Sequence, residues 1–416
     1  MSRRMSKRMN KNTFSTKRAG WIAAALLSAA TVLGATPAMA QTAPTAPTQT
    51  AGGELATIVQ ERWGNESTES WRQRIGGVVR TPGPDGIAGT EDDQIKQNQD
   101  KQNLYYTGSQ IDRVRVYNAI SPSMNGREIP LIVITPKEGS GPRPTLYVLN
   151  GGDGGEGNAN WIMQTNMLQF YLDKNINVVV PMEGQFSYYS DWVTDVEKLG
   201  GKQMWETFLT KELPPVIEKE LNATPDTRAI TGMSMTATTV LLYAQHHPGF
   251  YDAIGSFSGC AETNTGMGRI AMDLTLQRAG TNINAMWGNG EAFQPGYADA
   301  PIPNYLQYND ALVNAEKLRG QTMYISNGTG FSGRWDYWSS PKTRGNSAAM
   351  NEVQVVGGVI EGSTNLCTHQ LKVKLDHAGI PADWNFRPVG THQWGYWQDD
   401  MVLSWPTLAR GMGIAE

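Results

Sequence analysis

The stretch "TGMSMTAT", residues 231–238, sets Ser234 between Met233 and Met235, after the strand-like "RAI" and at the head of a helix-length run. A sharp strand-to-helix turn lifts a serine hydroxyl above a sheet. It also leaves the next backbone N–H free at a helix amino terminus, where it can hold an oxyanion. Gly232 fits the crowding of such a turn. Thr236 stands where a G-x-S-x-G elbow would close on glycine, a difference that slightly wider helix packing accommodates. The plainer reading of the junction is a serine that caps the helix.

Outward from this turn, apolar segments of strand length alternate with segments of helix length. "RVRVYNA", "EIPLIVITP", "TLYVLN", "INVVVPM", "AITGMSM" and "TMYISNG" read as strands. "NWIMQTNMLQFYLDKN", "QMWETFLTKELPPVIEKEL" and "MTATTVLLYAQHHP" carry apolar residues at helical spacing, and "YNDALVNAEKLRG" ends on a helix-stopping glycine. The alternation predicts an α/β protein: a mostly parallel central sheet with helices on both faces. In that setting Ser234 occupies the nucleophile position of an α/β-hydrolase fold.

Residues 1–40 read as a secretory signal. Arg3, Arg4, Lys7, Arg8, Lys11, Lys17 and Arg18 precede "WIAAALLSAATVLGA", and Ala38 and Ala40 form an A-x-A cleavage site before Gln41. An uncleaved anchor is the alternative, but the apolar run is shorter than a membrane span requires. The expectation is an exported protein with no transmembrane anchor after processing. Residues 41–110 form a leader and extension: a flexible "QTAPTAPTQTAGG", a short helix in "ELATIVQERW" and a turn-rich "RTPGPDGIAGTEDD". Asp85, Asp92 and Asp93 could supply carboxylates to calcium, although the spacing departs from the EF-hand and an ordinary acidic turn is the simpler reading. No cofactor is required. The catalytic domain is expected over 111–416. A net charge of −4 with no long basic run after the signal excludes a nucleic-acid footprint. Cys260 and Cys367, the 2 cysteines, pair as a disulfide in an oxidising compartment, with two buried thiols as the alternative.

A serine nucleophile needs a base, and the chain holds 5 histidines: His246, His247, His369, His377 and His392. Hydrolase triads run Ser, acid, His along the chain, which favours His392 in the loop "PVGTHQWGYW" and sets aside His246 and His247 on the helix after Ser234. The acid is expected on a loop between Ser234 and His392. Glu361 in "GGVIEGSTN" is best placed; Asp336 and Asp376 are rivals, Asp376 on a solvated helical face. The glycines of "YVLNGGDGGEGNANW" allow backbone N–H groups to converge on an oxyanion, and the run matches neither a P-loop nor a well-formed G-x-G-x-x-G. Trp161, Trp394, Tyr396 and Trp397 lie near these segments and either line a sugar or lipid groove or pack beneath it.

"SPSMNGREI", "EGQFSYYSDW", "WETFLTKELP", "GMSMTATTVLLYAQHHPGFYDAIGSFSG" and "GTHQWGYW" together resemble the antigen 85 family of mycolyltransferases, including its corynebacterial members, from about Ile111 to the carboxyl terminus. The resemblance implies Ser234 as nucleophile, His392 as base, Glu361 as acid, and an oxyanion hole from the N–H groups of Gly152 and Met235. It implies transfer of a mycolyl chain from trehalose monomycolate to a hydroxyl acceptor in the cell envelope, on trehalose ester, arabinogalactan or protein. Asn150 stands where the family usually has a trehalose-holding aspartate, and Asp153 where it has an arginine. Both positions are expected to touch substrate, and the exchanges alter which sugar hydroxyls can be paired. The competing readings are a secreted carboxylesterase, in which water completes the cycle, and a non-catalytic wall-binding protein on the same scaffold.

Overall fold

In the computed structural model the first strands are β1 (Thr57–Glu61), β2 (Val79–Thr81), β3 (Gln94–Gln99) and β4 (Gln102–Thr107). They continue as β5 (Val114–Ser121), β6 (Arg127–Ile134), β7 (Arg143–Leu149) and β8 (Asn177–Pro181). The last four are β9 (Ala223–Met233), β10 (Ala253–Phe257), β11 (Thr322–Asn327) and β12 (Asp383–Phe386). The structure describes residues 53–61, 79–81, 94–99, 102–107, 112–343 and 345–415. The signal segment 1–40 and Asp85, Asp92 and Asp93 lie outside the described residues.

A 9-stranded sheet runs in the order β1-β5-β6-β8-β7-β9-β10-β11-β12, and β2, β3 and β4 form a separate 3-stranded sheet. From β8 to β12 every neighbouring pair is parallel, and from β1 to β8 every pair is antiparallel. Side-chain alternation along a strand explains the covering on both faces. In β7, Tyr147 and Leu149 enter one apolar core while Leu146 and Val148 enter the other. The first core is filled by helices α3 (Pro214–Glu220), α4 (Met235–His246) and α7 (Gly358–Ala378). The second holds α1 (Trp161–Gln164), α2 (Met167–Leu172) and α8 (Trp394–Gly411). Between α4 and α7 lie α5 (Gly266–Arg278) and α6 (Ile283–Trp287), whose Met272, Leu276, Ile283, Met286 and Trp287 join the first core. The α/β-hydrolase fold is thus present. Among the described residues no helix is long and apolar enough to cross a membrane.

Several local expectations change. Within "ELATIVQERW", Thr57–Glu61 forms an edge strand rather than a helix: β1 pairs antiparallel with β5, Thr57 opposite Ile120, and its run of β-branched residues suits that pairing. The large sheet therefore begins before Ile111, where the sequence puts the start of the domain. The single helix read into "NWIMQTNMLQFYLDKN" is two, because Thr165 turns its hydroxyl back on Trp161 O (2.6 Å) and its backbone is extended. "YNDALVNAEKLRG" forms only short turns, the last at Ala315–Leu318, since Asn309, Asp310 and Asn314 bond nearby backbone groups with their side chains. Before Pro214, which has no N–H to donate, the chain widens into a π-helical turn at Phe208–Glu212.

Candidate active site

β9 ends at Met233 and α4 begins at Met235, so Ser234 alone makes the turn. Its backbone sits at φ 57°, ψ −118°, a region side chains other than glycine rarely occupy, and its N–H donates to Phe257 O at 2.8 Å. Helix and strand stay close: a Cβ at Gly232 would stand 2.6 Å from Thr236 O. Thr236 therefore does not push the helix away, as its size suggested. Its hydroxyl folds back on the elbow, accepting from Met233 N–H (3.0 Å) and donating to Met233 O (3.1 Å).

His392 Nε2 lies 2.6 Å from Ser234 Oγ, and its Nδ1 lies 2.8 Å from Glu361 Oε2. With Nδ1–H directed at the carboxylate, Nε2 presents its lone pair to the serine hydroxyl. The loop carrying His392 is held by its own N–H on Gly357 O (3.1 Å) and by Gly330 N–H on Gly390 O (2.9 Å). Trp397 stands edge-on to the imidazole, its ring centroid 4.9 Å away, and donates through Nε1 to Ser258 Oγ.

Glu361 is buried in the first turn of α7, on a helix rather than the expected loop. Gly357 and Gly358 permit this, because a Cβ on Gly358 would press on Gly330 O at 2.8 Å. While Oε2 faces His392, Oε1 accepts from Gly328 N–H (2.6 Å), Ser258 Oγ–H (2.8 Å) and Arg387 Nη2 (3.2 Å). Its rivals have other partners. Asp336 is buried and accepts from Thr391 and Gln393 side chains, Gly333 N–H and Tyr396 O–H, bracing the residues beside His392. Asp376 pairs with Lys372 on an exposed face of α7. His246 and His247 both bond Glu206 Oε1, at 2.8 and 2.9 Å, away from Ser234. His369 stacks on Phe386, and His377 bonds Val373 O.

Met235 N–H opens α4, and Gly152 lies half-buried in the loop after β7; among the described residues neither N–H carries a protein acceptor. Gly154 fixes the loop's course, since it adopts φ +67° and a Cβ there would meet Gln185 N at 2.3 Å. Two residues expected to touch substrate here are buried. Asn150 is fully buried: its Oδ1 accepts from Trp161 N–H (3.0 Å) and its Nδ2 donates to Pro181 O (2.9 Å), tying the loop to α1 and β8. Trp161 is a core residue that donates through Nε1 to Leu149 O, edge-on to Phe257 and Trp394. Asp153 is half-buried and spends its carboxylate on the N–H groups of Gly155, Gly157 and Ala159; burial pushes that carboxyl up, against these hydrogen bonds. Tyr396 and Trp397 are buried, whereas Trp394 stays half-exposed.

Cys260, just after β10, and Cys367 on α7 are joined by a disulfide. It clamps the helix of Glu361 to the strand end that carries Ser258. Among the described residues no group of three or more His, Cys, Asp or Glu side chains is arranged to hold a metal ion. Sequence reasoning missed Ser258, Arg387 and Asp400. Ser258 adopts φ 56°, and Arg387 bridges Glu361 and Asp400 across chain separations that leave no local pattern.

Residues 121–408 match the family model described as putative esterase. The diacylglycerol acyltransferase/mycolyltransferase Ag85A of Mycobacterium tuberculosis is 30% identical over 296 residues, 70% of this chain and 80% of that protein. Ag85B of Mycolicibacterium smegmatis is 29% identical over 297 residues, 70% of this chain and 83% of that protein. The crystal structure of Mycobacterium tuberculosis MPT51 (FbpC1) superposes with a TM-score of 0.54 and 23% identity, over 70% of this chain and 96% of its own, a likeness of fold. A serine elbow on this sheet, a match over most of the sheet-forming chain and relatives that share it over most of their length lead to one conclusion: the chain belongs to the putative-esterase family and, within it, to the antigen 85 mycolyltransferases.

Proposed function

We propose that the protein is an exported acyltransferase that moves a mycolyl chain from trehalose monomycolate to a hydroxyl acceptor of the cell envelope through an acyl-enzyme on Ser234. The observation that carries the reading is the unbroken relay from Ser234 Oγ through His392 to Glu361, with steps of 2.6 and 2.8 Å. Ser234 Oγ attacks the donor's ester carbonyl as His392 Nε2 takes its proton. Met235 N–H, at the positive end of α4, and Gly152 N–H stabilise the oxyanion. Collapse breaks the ester C–O bond, and the departing trehalose oxygen takes the proton from His392. The acceptor hydroxyl then repeats the sequence in reverse: it yields its proton to His392, attacks the acyl carbon and frees Ser234.

A half-exposed Trp394 beside the relay supplies an apolar surface for the chain or a stacking surface for a sugar. The basic and apolar pattern of residues 1–40 supports export, and calcium at Asp85, Asp92 and Asp93 remains a separate proposal for the extension. The test is to incubate the mature protein with trehalose monomycolate and, in parallel, trehalose ester, arabinogalactan fragment or a wall-protein peptide, following products by mass spectrometry beside Ser234→Ala. Ser234-dependent transfer supports the reading and identifies the acceptor. Free mycolic acid alone would make the protein an esterase, and no Ser234-dependent product would make it a binding protein.

A further inference from the structure

Arg387 directly follows strand β12, five residues before His392 in the chain, and its guanidinium is divided between two buried carboxylates. Nη2 reaches Glu361 Oε1 at 3.2 Å, the oxygen that His392 does not use, and Nη1 pairs with Asp400 Oδ2. Asp400, one turn beyond Tyr396 on α8, also accepts from Tyr324 O–H (2.9 Å) and Asn385 Nδ2 (3.0 Å). Arg387 further lies over the Tyr396 ring, 5.4 Å from its centroid. A chain of alternating charge therefore runs His392, Glu361, Arg387, Asp400 through the interior.

We infer that the Arg387–Asp400 pair positions Glu361 and sets the basicity of His392, a role exercised through the carboxylate of Glu361; the inference rests on the relay above acting in catalysis. Glu361 Oε2 lies 2.8 Å from His392 Nδ1, and an anion there stabilises the positive charge the ring takes on when it accepts the serine proton. A cation on the opposite oxygen of that carboxylate opposes the effect, keeping the imidazole free to act as base. Asp400 in turn limits how far the cation's field reaches. The other groups facing the cluster are Tyr324 from β11, Tyr396 from α8 and Asp336 from the loop after β11. The carboxylate of Asp336 is occupied by the Thr391, Gln393 and Tyr396 side chains and by Gly333 N–H. Burial pushes the Asp400 carboxyl up, and Arg387 opposes that shift.

The two partners carry opposite signs, so their removal must act in opposite directions. The acid limb of kcat/KM for a soluble p-nitrophenyl ester reports the free-enzyme base. Arg387→Met should move that limb to higher pH and Asp400→Asn to lower pH, each by about one pH unit at the interior's effective dielectric. Arg387→Lys keeps the charge and should leave the limb near its wild-type position, and the double variant Arg387→Met/Asp400→Asn should fall between the two singles. Shifts in the same direction, no shift, or Arg387→Lys behaving as Arg387→Met would overturn the inference, because a merely structural pair lowers kcat without an ordered movement of the limb. Should Arg387→Met not fold, Asp400→Asn and Arg387→Lys carry the test by themselves. Hydrolysis retained by Ser234→Ala would instead sink the reading of the relay, an outcome separate from any limb position.

Discussion

The hydroxyl of Thr236 bonds both backbone groups of Met233, N–H at 3.0 Å and C=O at 3.1 Å, and so replaces with two hydrogen bonds the closeness that a second glycine would give the elbow. Thr236→Val keeps the volume but leaves the buried Met233 N–H without a partner, at a cost of about 1–3 kcal/mol. Thr236→Ser should stay close to wild type. Chemical denaturation of both variants checks the difference, with ester turnover expected to fall only for valine as Ser234 loses its fixed φ.

Glu361→Gln keeps the volume and the contact to Gly328 but presents no full charge to the imidazolium that forms during attack. By the measure of other serine triads, kcat should fall by about 10³–10⁴-fold with KM little changed. Steady-state kinetics on a soluble ester decides it, and a fall of less than about tenfold would assign the acid elsewhere.

Asn150→Asp restores the residue usual in the resembled family, yet here it should weaken the protein rather than change its acceptor. An aspartate can still accept from Trp161 N–H, but its second oxygen would face Pro181 O, where the amide now donates. The expected loss is about 1–3 kcal/mol in unfolding free energy, with acceptor preference unchanged in a competition between trehalose ester and peptide.

The Cys260–Cys367 bond closes a loop of 107 residues between the strand end that holds Ser258 and the helix that holds Glu361. The variant Cys260→Ala/Cys367→Ala should lose about 2–5 kcal/mol of stability. Because both ends carry contacts of the Glu361 carboxylate, activity should fall at temperatures well below the unfolding midpoint, as paired thermal and turnover curves will register.

Burial pushes the Glu206 carboxyl up, but His246 and His247 outweigh it and hold the group at about 2, below its ordinary 4.5. A folded-state value below the unfolded one gives stability that is complete above about pH 4.5 and disappears as pH falls through about 2. Glu206→Gln should therefore be less stable near neutrality, by about 3–5 kcal/mol for a broken buried pair, and the gap to wild type should close across that acid window. Urea midpoints taken from about pH 5 to pH 2 read the convergence directly.

Strands β5 to β9, strand β11 and the members of the relay are legible in the sequence because each leaves a local sign. "TLYVLN" and "INVVVPM" are too uniformly apolar for anything but buried strands, and Ser234 and His392 stand at strand ends in chain order. Features set by distant partners are not legible. "ELATIVQERW" has a composition that suits helix or strand, and only the open edge of β5 decides between them. Glu361 follows glycines that read as helix breakers, yet those glycines are what let the helix approach Gly330 and the His392 loop. Asn150 looks like a loop residue free to meet a sugar, and its burial follows from the loop doubling back so that the Trp161 N–H reaches it. Arg387 is separated from Glu361 by the rest of α7 and β12, and from Asp400 by the His392 loop and the start of α8, so no motif announces the pair.

The five parallel strands from β7 to β12, β8 apart, each contribute at their carboxyl ends: the glycine loop after β7, Ser234 after β9, Ser258 after β10, Gly328 after β11 and Arg387 with His392 after β12. The reacting atoms thus hang from a common rim whose spacing is fixed by the hydrogen-bond ladder, while the crossovers that approach the rim can lengthen without altering it. The longest such stretch, between β10 and β11, already holds α5 and α6. Diversification in this lineage can proceed there by insertion, with a new acceptor admitted by a rebuilt crossover and the bond-making geometry inherited unchanged.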